Sequence, residues 1–170
     1  SGNYDLAYLR CIPNMIIAVP ADENEARMLL TTTFNHNGPA AVRYPRGGGI
    51  NAVINHELKS VEIGKGRVMN SLDSDLLVLN FGTLIATSEK VAKELNATLL
   101  DMRFVKPLDK ELIAEHSKGK KAIITIEDGA INGGAGSAVC EWAQENKISA
   151  QIIICGIPDK FIDHSSREEM

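Results

Sequence analysis

Two arginines stand where a strand gives out, in Val42-Arg43-Tyr44-Pro45-Arg46-Gly47. A guanidinium presents a rigid fork of donors that matches phosphate and never loses its charge. Arg43 and Arg46 are therefore the candidate phosphate-binding residues. Alternation along a strand sends Arg43 and Tyr44 to opposite faces, while Arg46, beyond Pro45, points independently. The same residues also read as surface arginines or as salt-bridge partners of the acidic helix before them. A second charged stretch, Asp101-Met102-Arg103-Phe104-Val105-Lys106-Pro107-Leu108-Asp109, runs from an apolar strand through an Asp/Arg pair to a helix that Asp109 caps. Asp101 and Arg103 share a strand face, which predicts an ion pair within the strand. Glu127-Asp128-Gly129 closes another strand and precedes Gly133-Gly134-Ala135-Gly136-Ser137. The two acids read either as an acid/base pair or as cap and loop acceptors. The glycines could offer backbone N–H groups to an anion at a helix N-terminus, or could permit tight strand–helix packing. His36, His56, His116 and His164 have no partners at metal-ligand spacing, so no metal ligand is expected in these residues.

The elements that must position these groups follow from periodicity. A short strand over 15–19 ends at Pro20. Asp22 caps a helix, with Glu25 three residues on to complete a capping box. Ala26, Leu29, Leu30 and Phe34 form its expected apolar face, and a strand over 40–44 follows. Residues 47–60 read as a polar linker opened by three glycines. Beyond them come a strand at 66–69, a hairpin-like turn at 70–74, an apolar strand at 76–79 and a helix capped by Thr83 or Thr87. The alternation continues with a strand over 97–104, a helix from Asp109, a strand at 122–126, a helix over 136–146 and a strand at 151–154. Strands and helices alternating at this length predict an α/β fold, a mostly parallel sheet with helices on both faces. Charged groups at strand ends, followed by capped helices, put its sites at the carboxyl edge.

Composition narrows the class. Of 170 residues, 44% are hydrophobic and 24% charged, which is material for a packed globular core. The net charge of −4 offers no basic surface for nucleic acid. No apolar run is long enough for a membrane span. Cys11, Cys140 and Cys155 are scattered and odd in number, and read as reduced thiols in a cytoplasmic protein. Trp142 and Tyr8 read as core or interface aromatics. The block Tyr4–Arg10 mixes charges with apolar residues, as though its partners lay on other chain or a second subunit. Ser1 and Met170 do not read as natural termini, so a fragment is expected.

Taken together, Tyr4–Asn14, Ala41–Gly47, Asn80–Thr83, Asp101–Asp109, Glu127–Ser137 and Gly156–Asp159 resemble the carboxy-terminal part of the 1-deoxy-D-xylulose 5-phosphate synthases. These are transketolase-like thiamine diphosphate enzymes. The Asp-x-Arg and Pro-Leu-Asp elements are shared with the wider superfamily, whereas the first two stretches narrow the likeness to the synthases. The resemblance implies that residues 1–46 are the tail of an incomplete α/β pyrimidine-binding domain, 47–60 a linker, and 61–170 a transketolase-type carboxy-terminal domain. It implies a parent enzyme that uses thiamine diphosphate and Mg²⁺ to decarboxylate pyruvate and pass two carbons to glyceraldehyde 3-phosphate. Such an enzyme supplies isoprenoid, thiamine and pyridoxal precursors, and a cytoplasmic homodimer is expected. Arg43 matches the family arginine that holds the acceptor's phosphate, with Arg46 beside it. The family's Gly-Asp-Gly metal motif, its cofactor-activating glutamate and its catalytic histidine are absent from these residues, and Ser1 stands where the family has glutamine. No catalytic, cofactor-binding or metal residue is therefore expected here, and the chain alone should be inactive. Two alternatives stay open: a β subunit of a 2-oxo acid dehydrogenase, and a stand-alone assembly or regulatory module.

Overall fold

The structure is a computed structural model that describes residues 2–45 and 47–161. Its elements in chain order are α1 (Asp5–Leu9), β1 (Ile16–Ala18), α2 (Glu23–Phe34), β2 (Ala40–Val42), β3 (Arg67–Asn70), β4 (Leu76–Phe81), α3 (Ile85–Glu94), β5 (Thr98–Asp101), β6 (Phe104–Lys106), α4 (Lys110–His116), β7 (Ala122–Ala130), α5 (Ala135–Glu145) and β8 (Gln151–Ile157). They form two sheets. The larger has the order β3-β5-β4-β7-β8, with β4, β5, β7 and β8 parallel and β3 antiparallel on one edge. The smaller has the order β2-β1-β6, β1 running parallel to β2 and antiparallel to β6.

The period of β4 explains the layering. Leu77, Leu79 and Phe81 point to one face and pack with Ile123 of β7, Ile113 of α4, and Val139 and Trp142 of α5. Val78 points to the other face, where it meets Leu99, Ile124 and Ile126 beneath Ile85 and Ala92 of α3. Both faces are thus roofed by helices, as the alternating pattern predicts. Each fully buried Leu or Ile is worth about 1.5–3 kcal/mol against exposure. Leu6 of α1 and Ile17 and Val19 at β1 join the first of these clusters. The two sheets are therefore packed together through a common core.

Several expectations fail for identifiable reasons. The turn at 70–74 is not a hairpin, because β3 pairs with β5 and not with β4. The strand predicted over 97–104 is broken: Arg103 adopts φ +57°, and the chain leaves β5 to enter the smaller sheet as β6. Neither Thr83 nor Thr87 caps α3, whose cap position is Leu84 with no side-chain bond; the Thr83 hydroxyl is instead turned toward Asp128. Asp22 and Asp109 do cap, accepting from the backbone N–H of Glu25 and Leu112. On α2 only Leu29 of the expected face is fully buried, while Leu30 and Phe34 are exposed. The buried side holds Glu25, Leu29, Thr32 and Thr33. Residues 47–60 form neither helix nor strand and lie along α2: Asn51 and Ala52 donate to Glu23, and Asn55 donates to Asn24.

Candidate functional site

Arg43 is the point where distant parts of the chain meet. Its backbone N–H donates to Ala18 O at 2.8 Å, which fixes it beside the end of β1. Its side chain is 8% exposed, and Tyr44 turns outward, as alternation requires. Nε donates to both carboxylate oxygens of Asp5, each at 3.3 Å. Nη1 donates to Asp128 Oδ1. Nη2 donates to the carbonyl oxygens of Gly2 at 3.1 Å and Asp128 at 3.2 Å. One Nη1 hydrogen has no acceptor among the described residues. Asp128 Oδ2 in turn accepts from the Thr83 hydroxyl at 3.4 Å. The arginine is a salt-bridge partner, yet of Asp5 and Asp128 and not of the acidic helix α2. Arg46, the second candidate, lies outside the described residues.

Asp5 reaches Arg43 because it opens α1, where its Oδ1 also accepts from Leu6 N at 2.9 Å. That segment finds its partners within this chain, which corrects the expectation that they lie elsewhere. Ala130 N donates to Asn3 O, Leu6 is fully buried, and Lys106 Nζ donates to the carbonyls of Arg10 and Ile12. Arg10 donates to Gly133 O at 2.7 Å and Gly134 O at 3.1 Å and pairs with Glu141 at 2.6 Å. Tyr8 stays 61% exposed, whereas Trp142 is core.

Glu127 and Asp128 do not work as a pair. Glu127 is 1% exposed and turns to the start of α5, accepting from the backbone N–H of Ala135 and Gly136, both at 2.8 Å. Burial pushes its carboxyl above the ordinary value, against those two N–H groups. The anion at this helix N-terminus is thus the protein's own carboxylate. The glycines serve packing: a Cβ on Gly136 would lie 2.5 Å from Ile154 Cγ2, and one on Gly134 would lie 2.3 Å from Ala130 O. Among the described residues no cluster of three or more His, Cys, Asp or Glu could hold a metal ion.

A second ionic junction lies behind the first. Glu25, fully buried, receives Arg103 Nε at 2.7 Å and Nη2 at 2.8 Å, and pairs with Arg67 Nη1 at 2.9 Å. Arg67 Nε reaches Asp101 Oδ2 at 2.9 Å. Asn80 Nδ2 donates to Asp101 Oδ1 at 3.2 Å, and Ser88 Oγ donates to Asn80 Oδ1 at 2.9 Å. The predicted pair within the strand does not form, because the left-handed turn at Arg103 swings its side chain toward α2. The expected capping box is also absent, since Glu25 spends its carboxylate on the two arginines. Asp5, Asp128 and Glu25 were not legible as partners of these arginines. They stand 38, 85 and 78 residues from the groups they hold, beyond any local period.

Comparison with known proteins agrees with this architecture. The transketolase carboxy-terminal domain family matches residues 64–170, and the transketolase pyrimidine-binding domain family matches residues 1–49. Among curated proteins, the 1-deoxy-D-xylulose-5-phosphate synthase of Bordetella parapertussis is 48% identical over 98% of this chain and 27% of its own length. That of Vibrio vulnificus is 47% identical over 99% of this chain and 27% of its own length. This chain thus spans about a quarter of the curated relatives it matches. A solved structure described as a split-gene transketolase, inactive beta4 tetramer, superposes with a TM-score of 0.82 at 31% identity, covering 91% of this chain and 52% of that one. By sequence and by fold, the chain belongs to the transketolase family, matching its carboxy-terminal domain over residues 64–170 and its pyrimidine-binding domain over residues 1–49.

Proposed function

We propose that these residues are the carboxy-terminal portion of a 1-deoxy-D-xylulose 5-phosphate synthase. The whole polypeptide would decarboxylate pyruvate and transfer the two-carbon unit to glyceraldehyde 3-phosphate, in a cytoplasmic homodimer that feeds isoprenoid, thiamine and pyridoxal synthesis. On this reading residues 1–46 are the tail of the pyrimidine-binding domain, 47–60 the linker and 61–170 the carboxy-terminal domain. One observation carries it. Four of the stretches that resemble the synthases converge on Arg43: its own, the stretch with Asp5, the stretch with Thr83 and the stretch with Asp128.

Thiamine diphosphate and Mg²⁺ belong to the proposal for the whole polypeptide and are not assigned to residues here. The described residues do not fit them: Glu127 fills the α5 N-terminus, and no set of ligands for a metal ion converges. We propose further that the 170 residues by themselves are inactive, because the family's Gly-Asp-Gly motif, cofactor-activating glutamate and catalytic histidine are not among them. A synthase assay of the 170 residues giving product at the rate of a full-length enzyme would overturn this.

Within the proposal Arg43 holds the phosphate of the acceptor, with Arg46 as a second contact. The Nε and Nη2 edge of a guanidinium is one of the two that grips an oxyanion in bidentate fashion. Here those two nitrogens already donate to Asp5 at 3.3 Å, the Gly2 carbonyl at 3.1 Å and the Asp128 carbonyl at 3.2 Å, and a phosphate would have to displace Asp5 and the Gly2 carbonyl. Arg43→Ala should remove a charge-assisted contact worth roughly 1.5–3 kcal/mol, about 10- to 150-fold in acceptor affinity. Steady-state kinetics should find the loss in glyceraldehyde 3-phosphate and far less in pyruvate. An equal weakening of both substrates would make Arg43 structural.

A second reading is favoured by the split-gene neighbour: the chain would belong to an enzyme whose diphosphate-binding domain is a separate polypeptide, as in the β subunits of 2-oxo acid dehydrogenases. The coding sequence upstream decides between them. A Gly-Asp-Gly motif in the same reading frame supports the synthase, and its presence in a separate gene supports the split enzyme.

A further inference from the structure

The smaller sheet draws on both parts of the chain. β1 and β2 lie within the residues that match the pyrimidine-binding domain, whereas β6 lies within those that match the carboxy-terminal domain. β6 runs antiparallel to β1, with Phe104 opposite Ala18 and Lys106 opposite Ile17, and Val19 N donates to Arg103 O at 2.8 Å. Four consecutive side chains, Arg103 to Lys106, are each spent on the other part. Arg103 donates through Nε and Nη2 to the buried carboxylate of Glu25, at 2.7 and 2.8 Å. Phe104, fully buried, packs with Ile16, Ala18 and Leu29. Val105 joins Leu6, Ile17 and Val19 in the common core. Lys106 Nζ donates to the carbonyl oxygens of Arg10 at 2.9 Å and Ile12 at 2.7 Å, just past the end of α1. A strand added to an open sheet edge satisfies its backbone groups while alternate side chains enter pockets on either face.

The covalent connection between the two parts is of another kind. Residues 47–60 form neither helix nor strand, and Val53 and Leu58 are 93% and 66% exposed. The chain re-enters the packed region only at Val61, whose N–H donates to Thr32 Oγ1 at 2.8 Å and whose side chain packs against the Phe104 cluster. We infer that Arg103–Lys106 is a donated strand and that residues 2–45 present a docking surface for it. That surface takes an extended segment whose arginine meets a buried carboxylate, whose phenylalanine fills an apolar slot under α2, and whose lysine meets the carbonyls past α1. The two parts therefore stay assembled when the linker is cut. This holds for either parent enzyme considered above, since no step of it depends on the substrate.

The test starts from the intact 170-residue chain with a specific protease site inserted after Val53, cut once the chain has folded. An insertion in an exposed connection costs little; if this one disturbs folding, the same site goes after Leu58. At micromolar concentration the cut chain should elute as one species of unchanged size. Its melting temperature should become dependent on protein concentration, which that of the uncut chain is not. Phe104→Ala then asks whether the donated strand does the holding. In the uncut chain the linker keeps the two parts at high effective concentration, so the variant should remain one folded species that melts earlier. In the cut chain it should weaken association about 100-fold or more, and the pieces should part at dilutions where the unaltered cut chain stays whole. Separation of the unaltered cut chain at micromolar concentration overturns the inference, and so does a cut Phe104→Ala chain that holds as tightly as the unaltered one. Should Phe104→Ala not fold, Arg103→Ala carries the same comparison. It leaves the apolar slot filled and removes the two contacts to Glu25, with an expected weakening of roughly 30-fold or more; unchanged tightness overturns the inference.

Discussion

Two ionic junctions tie the first 45 residues to the rest of the chain, and they are built differently. The one at Glu25 is balanced, with two carboxylates, Glu25 and Asp101, facing two guanidinium groups, Arg67 and Arg103. All four ion contacts that define it are 2.7–2.9 Å long, and both carboxylates are fully buried. The one at Arg43 is unbalanced, one guanidinium between two carboxylates that are 16% and 20% exposed. It is gripped on one edge and loosely touched on the other. A charge-balanced network whose carboxylates are both fully buried costs much to break. An open cluster with excess charge and a loosely held edge can exchange partners. The contrast separates a charge-balanced junction from one that carries a net negative charge.

The largest effect should follow from breaking the balanced junction. Glu25→Ala removes an acceptor of two arginines at once and leaves Arg103, 15% exposed, without its carboxylate, while Arg67 keeps Asp101. Deleting one partner of a buried pair costs about 3–5 kcal/mol. Urea unfolding of the chain should show that loss, and the Arg43→Ala variant should show a clearly smaller one. If the two variants lose equal stability, both junctions are structural and the division between them disappears.

Much of the frame was readable before the structure, because it depends on local rules. Asp22 and Asp109 look like caps from their neighbours and act as caps. The apolar runs at 76–79 and 122–126 are strands flanked by helices, and the alternation implied a parallel sheet roofed on both sides. The failures share one cause, pairing between residues far apart in sequence. Period alone assigns the polar side of α2 to solvent. Yet Glu25 is buried because Arg103 and Arg67 reach it, and Thr32 and Thr33 are buried with hydroxyls bonded to the carbonyls of Met28 and Leu29. Asp101 and Arg103 looked like a pair because strand alternation was extended through a residue whose backbone is left-handed. At the candidate site the arginine was readable from its type and its strand-end position. Its holders, Asp5 and Asp128, were not, since no period relates them to it.

The smallest effect is also the sharpest probe of the balanced junction, and it is a dependence on pH. Burial raises the Asp101 carboxyl above its ordinary value of 3.8, opposed by Arg67 and Asn80 and reinforced by the Glu25 charge. A carboxyl whose pKa is higher in the folded protein binds its proton longer there than in the unfolded chain. Its contribution to stability is therefore full below the ordinary value and is lost as pH rises through the folded value. Glu127 is shifted in the same direction, above 4.5, so the two groups act together to lower stability as the solution leaves the acid range. Asp101→Asn deletes one of the two. The variant keeps the shape and one acceptor for Asn80 or Arg67, and loses the other charged contact while escaping the cost of a buried charge. At neutral pH the net loss should be about 1 kcal/mol. Thermal melting between the acid range and neutrality should then give a flatter decline for Asp101→Asn than for the unaltered chain, with Glu127 supplying the slope that remains. An Asp101→Asn profile parallel to that of the unaltered chain would mean that Asp101 stays ionised throughout and that the junction is more firmly neutral than its burial implies.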